Sequence, residues 1–184
     1  MIYVALLRGI NVGGKNKIDM KLLKETFGRL GMGSVTTYIN SGNVIFIDER
    51  YTKPEISFLL EKGIYEDFNI EIKVLVRSMN DFESMMGILP ASWKNDGAMK
   101  GDVLFLWDEL DQETVDSMLV IRHNIDTVLF APGVIFWSVD KENVTKSGLT
   151  KIVGTALYKK MTVRNVNTTR RIYEIMQELS RSSQ

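Results

Sequence analysis

Nine consecutive residues, Arg8-Gly9-Ile10-Asn11-Val12-Gly13-Gly14-Lys15-Asn16, carry two cations, two carboxamides and three glycines. Glycine permits left-handed backbone, so a turn of this composition can aim several N–H groups at one point near the start of the next helix. Arg8 and Lys15 add positive charge, and the chemistry this suits is the holding of an anion. The segment lacks the Gly-x-x-x-x-Gly-Lys-Ser/Thr spacing of a nucleoside-triphosphate loop and the Gly-x-Gly-x-x-Gly of a dinucleotide fingerprint. A competing reading needs no ligand: the glycines make a long turn and Arg8 pairs with a carboxylate.

Two further polar clusters have the same ambiguity. Asn40-Ser41-Gly42-Asn43 is either ordinary hairpin chemistry or a group of ligand contacts from Asn40, Ser41 and Asn43. Thr162, Arg164, Asn165, Asn167 and Thr168 stand just before a helix, where they either cap free N–H groups or use the same helix end to hold a ligand. Asn167 is the expected cap, which leaves Arg164 and Asn165 for another role. The Arg8 turn and the Arg164 segment are expected to line one cleft that meets a phosphate or carboxylate with two arginines and several amides.

Other catalytic equipment is sparse. His123 is the one histidine, in Arg122-His123-Asn124 after a helix, and reads as a surface or helix-end residue. Asp19 is explained as a helix cap, and Asp108, Glu109, Asp111, Glu113 and Asp116 as a helix start and a solvated face. No triad, metal set or cofactor is implied. With no cysteine, thiol nucleophiles and disulfides are excluded, and a cytoplasmic location is expected. The apolar opening Met1 to Arg8 lacks a basic leader and reads as a buried strand, and no stretch approaches the roughly 18 apolar residues of a membrane span. The 23 basic residues balance the 23 acidic ones, which gives no support to a general nucleic-acid field, although a local basic patch stays open.

The elements that must position these groups follow from periodicity. At 184 residues, 45% hydrophobic and 25% charged, the chain is an ordinary globular protein with room for two domains of about 90 residues. Residues 2 to 8 form a strand. Asp19 opens a helix with Leu22, Leu23, Phe27 and Leu30 inward, stopped by Gly31. Strands 34–40 and 43–47 meet across Ser41-Gly42, Pro54 begins a helix carrying Ile56, Leu59, Leu60 and Ile64, and Ile70 to Val76 alternate as a strand. This βαββαβ order predicts a ferredoxin-like plait.

After a helical pattern over 79–89 and a polar stretch over 90–101, the order repeats. It gives strand 103–107, helix 112–121, strands 126–130 and 134–139 joined by Ala131-Pro132-Gly133, one helix after Ser147, and a short strand 162–165. A last helix has no counterpart in the first copy, and the tail from Ser180 is expected to fray. The fold class expected is therefore α+β, two tandem ferredoxin-like repeats plus a C-terminal helix, divided as 1–78, a connection over 79–101, and 102–184. Val4 and Val44 are 40 positions apart, Val103 and Val134 only 31. The extra length is about that of the Gly-, Asn- and Lys-rich turn, which favours a ligand over packing as its purpose.

The segments VALLRGINVGGKNKIDM, TTYINSGNVIF and TVRNVNT together resemble the uncharacterised bacterial family called domain of unknown function 1697, over most of the chain. The resemblance implies two ferredoxin-like repeats and no established activity. This sequence departs from the family pattern at Asn40, where Gln is common, at Gly148, where a Ser-Lys pair is common, and at Val166, where Trp is common. Any role of a lysine at the second place would fall to Lys146 or Lys151.

Three functional classes are consistent with these residues. The first is binding of a phosphate-bearing or other anionic small molecule, including a nucleotide. The second is an acylphosphatase-like hydrolysis by analogy of fold, with Arg8 and either Asn40 or Asn43 holding a phosphoryl group and water. The third is a non-enzymatic RNA-binding or self-association module, although the strands do not spell the aromatic RNA-binding pattern and Tyr3, Phe46, Phe105, Trp107, Phe136 and Trp137 read as core or inter-repeat contacts. Oligomeric state is not encoded in any of these features.

Overall fold

The computed structural model describes residues 1–110 and 112–182; Asp111, in the acidic cluster, and Ser183 and Gln184, in the tail, lie outside them. The protein is mixed α+β, with two four-stranded antiparallel sheets. The chain divides into two compact units, Met1–Glu83 with Arg171–Gln184, and Ser84–Arg170.

In the first unit the strands are β1 (Ile2–Leu7), β2 (Gly33–Tyr38), β3 (Asn43–Ile47) and β4 (Val74–Ser78), in the order β2-β3-β1-β4. Helices α1 (Met20–Arg29) and α2 (Lys53–Phe68) pack against this sheet. Asp19 caps α1 as expected, its carboxylate accepting from the N–H groups of Lys21 and Leu22. Thr52 and Glu55 form a capping box at α2, with Pro54 in the first turn. Ala5, Leu7, Val44, Phe46 and Val76 of the sheet pack with Leu23, Phe27, Ile56, Leu60 and Ile64 of the helices. Each fully buried aliphatic or phenyl group here contributes about 1.5–3 kcal/mol. Tyr3 stacks on Phe46 with ring centroids 5.8 Å apart. Leu22, expected inward, is 51% exposed, because the buried stripe of α1 runs through Leu23, Thr26 and Phe27 instead. β4 begins only at Val74, so Ile70 and Ile72 reach the core from the segment before it. The β2 and β3 pairing shifts register between Gly33 and Thr36, where Ser34 is left-handed at φ 48°.

β4 runs directly into α3 (Met79–Met86). In the second unit β5 (Met99–Leu106), β6 (Asp126–Ala131), β7 (Val134–Asp140) and β8 (Met161–Asn165) take the order β6-β7-β5-β8, and β8 runs directly into α7 (Val166–Ser182). A helix after the fourth strand is thus common to both sheets. α7 stays helical through Ser182, and does not fray from Ser180. β5 starts at Met99, so part of the expected polar connection is strand. α4 (Gln112–Met118) is shorter than expected.

The single helix expected after Ser147 is absent. A 3-10 turn (Lys141–Lys146) leads up to Ser147, and two single turns, α5 (Leu149–Ile152) and α6 (Ala156–Lys159), stand in the helix's place. Gly154 at φ 87° breaks the helical path, Val153 points to solvent at 64% exposure, and the Thr155 hydroxyl restarts the helix by accepting from Tyr158 N–H. Apolar spacing alone does not register a left-handed glycine inside the pattern.

Candidate functional site

The turn after β1 is a compact, self-bonded loop. Asn11 N–H donates to Asn16 O at 3.1 Å, Lys15 N–H to Val12 O at 3.1 Å, and the Asn16 side chain to Gly9 O at 3.0 Å. Gly9, Asn11, Gly13, Gly14 and Asn16 all lie at positive φ, between 47° and 76°. Asparagine is the residue other than glycine that tolerates this region best, since its short carboxamide bonds locally. The Asn11 side chain shows why. It donates to Ile18 O at 3.0 Å and accepts from Ile18 N–H at 2.9 Å, closing the loop across its base. Gly13, Gly14, Lys15 and Lys17 are exposed at the rim, while Arg8 is half-buried and its N–H bonds Lys73 O. Among the described residues the Gly13 and Gly14 N–H groups make no hydrogen bond.

The hairpin tip joins this loop. Because β1 and β3 are antiparallel, with Leu6 opposite Asn43, the end of β1 lies beside the start of β3. Asn11 Nδ2 donates to Asn40 O at 2.9 Å, and Leu7 N–H to Gly42 O at 2.8 Å. Arg8, Gly9, Asn11, Gly13, Gly14, Lys15, Asn16, Asn40, Ser41 and Asn43 therefore gather at one edge of the first unit. They differ in availability. Asn40 is exposed, whereas Asn43 is fully buried and its side chain donates to Tyr38 O and Ser41 Oγ within the turn.

Arg164, Asn165, Asn167 and Thr168 lie in the second unit, at the junction of β8 and α7. Asn165, not Asn167, is the helix cap: Asn165 Oδ1 accepts from Thr168 N–H at 2.8 Å. The strand enters the helix without a loop, so the cap falls on the last strand residue. Asn167 is instead paired reciprocally with Asn95, donating to its carbonyl at 2.9 Å and accepting from its N–H at 3.3 Å. Arg170, which the sequence did not single out, ties down the same stretch by donating to the Trp93 and Pro90 carbonyls. Arg164 is 7% exposed and donates to Thr162 Oγ1 and Val163 O, each at 2.9 Å; burial lowers its guanidinium to about 10.

Sequence reading also missed Arg77. It lies opposite Val4 as Arg164 lies opposite Val103, is 4% exposed, and donates to the carbonyl of the residue before it, as Arg164 does. Ser78 and Asn165, the next residues, each take a helix N–H on the side chain. The two fourth strands thus share an Arg-cap pair at one register, hidden from sequence because Ser replaces Asn.

Among the described residues no cluster of His, Cys, Asp and Glu could hold a metal ion, and no helix is long and apolar enough to cross a membrane. His123 is in an exposed turn.

With this geometry in hand, comparison with known proteins places the chain. A family described as Protein of unknown function (DUF1697) matches residues 1–136. The chain belongs to the DUF1697 family. The conserved bacterial protein SP0830 from Streptococcus pneumoniae is 32% identical, with a TM-score of 0.81 over 95% of this chain and 98% of that one. No curated protein matches. Glycine at position 148 has a local structural reason. A Cβ there would stand 1.5 Å from the Val120 carbonyl oxygen, and Gly148 N–H donates to Asp126 Oδ2 at 2.9 Å. Asp126 also accepts from Ser147 Oγ and from Arg122 N–H. Burial pushes the Asp126 carboxyl up, but these bonds outweigh it and hold the group below the usual carboxylate range. The buried indole N–H of Trp137 has no partner at hydrogen-bond geometry, yet it too favours the ionised form of the Asp126 carboxylate. In this DUF1697 member the Ser147-Gly148 pair is therefore an internal brace.

Proposed function

We propose that the Arg8 loop and the adjoining hairpin tip bind a phosphate-bearing small molecule, a nucleotide or sugar phosphate. The observation that carries this reading is the Asn11 side chain, which fixes loop and tip as one rigid polar surface. Rigidity matters because a site held open in advance loses less entropy on binding. The surface offers the Gly13 and Gly14 amides and the Lys15 ammonium, with Arg8 at its base.

The same reading includes the architecture. Each sheet is taken as a ferredoxin-like plait, supported by the shared strand order and by the matched positions of Arg77 and Arg164. A cysteine-free chain suits the cytoplasm, where such ligands are abundant.

Thermal-shift titration with inorganic phosphate, nucleotides, sugar phosphates, acyl phosphates and short RNA tests the proposal. A ligand at 100 times its dissociation constant adds about 2.7 kcal/mol. The expected result is stabilisation of the wild type by a small phosphate compound, with the shift lost in Arg8→Ala and Lys15→Ala. No shift with any small phosphate, or an undiminished shift in both variants, defeats it.

A further inference from the structure

Two differences between the sheets fall on one spot. On the helix-covered face of the first sheet Tyr3 stands opposite Phe46; at the same register of the second, Asp102 stands opposite Trp137. The first sheet is also covered by the 16-residue α2, whereas the second has the broken turns α5 and α6 between β7 and β8, where α2 stands between β3 and β4. The short turns leave a cavity of about 190 Å³, with Leu104, Val139 and Val163 on the sheet side, Ile152 on the other, and Lys100 and Asp102 in its wall. Lys100 Nζ is 2.9 Å from Asp102 Oδ2, and the Asp102 side chain is 8% exposed against 33% for Lys100.

A carboxylate accepts up to about four hydrogen bonds. Among the described residues, the Asp102 side chain is engaged by Lys100 alone. An inward ion pair is not required by this architecture, since the first sheet fills the register with Tyr3, and desolvating such a pair is unfavourable. The charge pair and the missing helix thus create a polar and an apolar half of one small chamber.

We propose that this cavity binds an apolar α-amino acid as the zwitterion. Its ammonium would join Asp102, its carboxylate would take Lys100, and its side chain would lie against Leu104 and Val163. A cavity of about 150 Å³ accommodates benzene, so this one suits a side chain the size of leucine or methionine. An amine alone competes with Lys100 for Asp102, and a carboxylate alone is set beside a like charge; the zwitterion satisfies both members of the pair. This site is in the second unit and does not depend on the phosphate reading.

Calorimetric titration of the intact protein decides the matter. The probes are L-leucine and L-methionine, set against 3-methylbutylamine, 4-methylpentanoate and L-serine. The expected result is binding of leucine or methionine, about tenfold or more weaker for each half-molecule and for serine. Asp102→Asn and Lys100→Gln, each checked for native circular dichroism, should weaken leucine by a similar factor. No binding of either amino acid at about 10 mM, equal binding of 4-methylpentanoate, or full affinity in folded Asp102→Asn overturns the proposal. Should a variant fail to fold, the ligand series on the wild type decides alone.

Discussion

Replacing Asn11 with a residue that lacks the carboxamide removes three hydrogen bonds. Each contributes about 0.5–1.5 kcal/mol, and a Cβ in the left-handed region adds about 1–2 kcal/mol when no side-chain bond compensates. Asn11→Ala should therefore lower urea stability by about 3–6 kcal/mol, and Asn11→Gly by about 1–2 kcal/mol less, because glycine removes the backbone strain and leaves only the lost bonds. Gly42 is constrained twice: it sits at φ 77°, and a Cβ there would be 2.7 Å from Leu7 Cβ and 2.8 Å from Ile10 Cδ1. Gly42→Ala is expected to cost about 2–4 kcal/mol in the same assay. At this scale the sequence was only half legible. Residue types identified the loop and tip, but the division of labour between an exposed Asn40 and a buried Asn43 depends on which side of the turn each carboxamide falls.

Helix ends show a similar division. Asn165→Ala should lower stability by about 1 kcal/mol through loss of the α7 cap, with Asn167→Ala acting instead on the 90–95 segment, detectable as faster amide exchange at Asn95. The α5 and α6 region is held by Asp126, Ser147 and Gly148, so Gly148→Lys forces the backbone away from Val120. A loss of more than about 2 kcal/mol by urea unfolding is expected. Periodicity gave the existence of both sheets and most strands within a few residues, since alternation and apolar runs report burial directly. It failed after Ser147, where Leu149, Ile152, Val153, Ala156 and Leu157 fit a helical stripe and one glycine in the left-handed region overrides it. The capping role of Asn165 was illegible for a different reason: two asparagines two positions apart are equal candidates until the strand's last hydrogen bond is known.

For the molecule as a whole, charge sums to zero, but protons are not distributed evenly among its acids. Burial raises Asp48, Asp81 and Asp126, and hydrogen bonds from Arg50 and Tyr51, from Lys53 and Ser78, and from Ser147, Arg122 and Gly148 respectively outweigh it. Each folded-state pKa is thus below its unfolded value of about 3.9. The stabilisation is complete above that value and disappears as the pH falls through the folded values. Urea midpoints should be flat between about pH 7 and 5 and drop below about pH 4, and Asp126→Asn should be less stable at neutrality with a shallower acid limb. A midpoint that rises on acidification would contradict this assignment.

Once such acid or heat loosens the protein, the outer strands of its sheets are unequal hazards. β2 borders one sheet with a register shift and a left-handed Ser34, so its row of N–H and C=O groups is out of step for a second chain. β6 borders the other with six residues in unbroken register, Asp-Thr-Val-Leu-Phe-Ala, and Phe130 is 40% exposed. Cross-β recruitment between copies should start at β6, and a lysine in place of Phe130 should delay turbidity in an aggregation time course without altering the native spectrum.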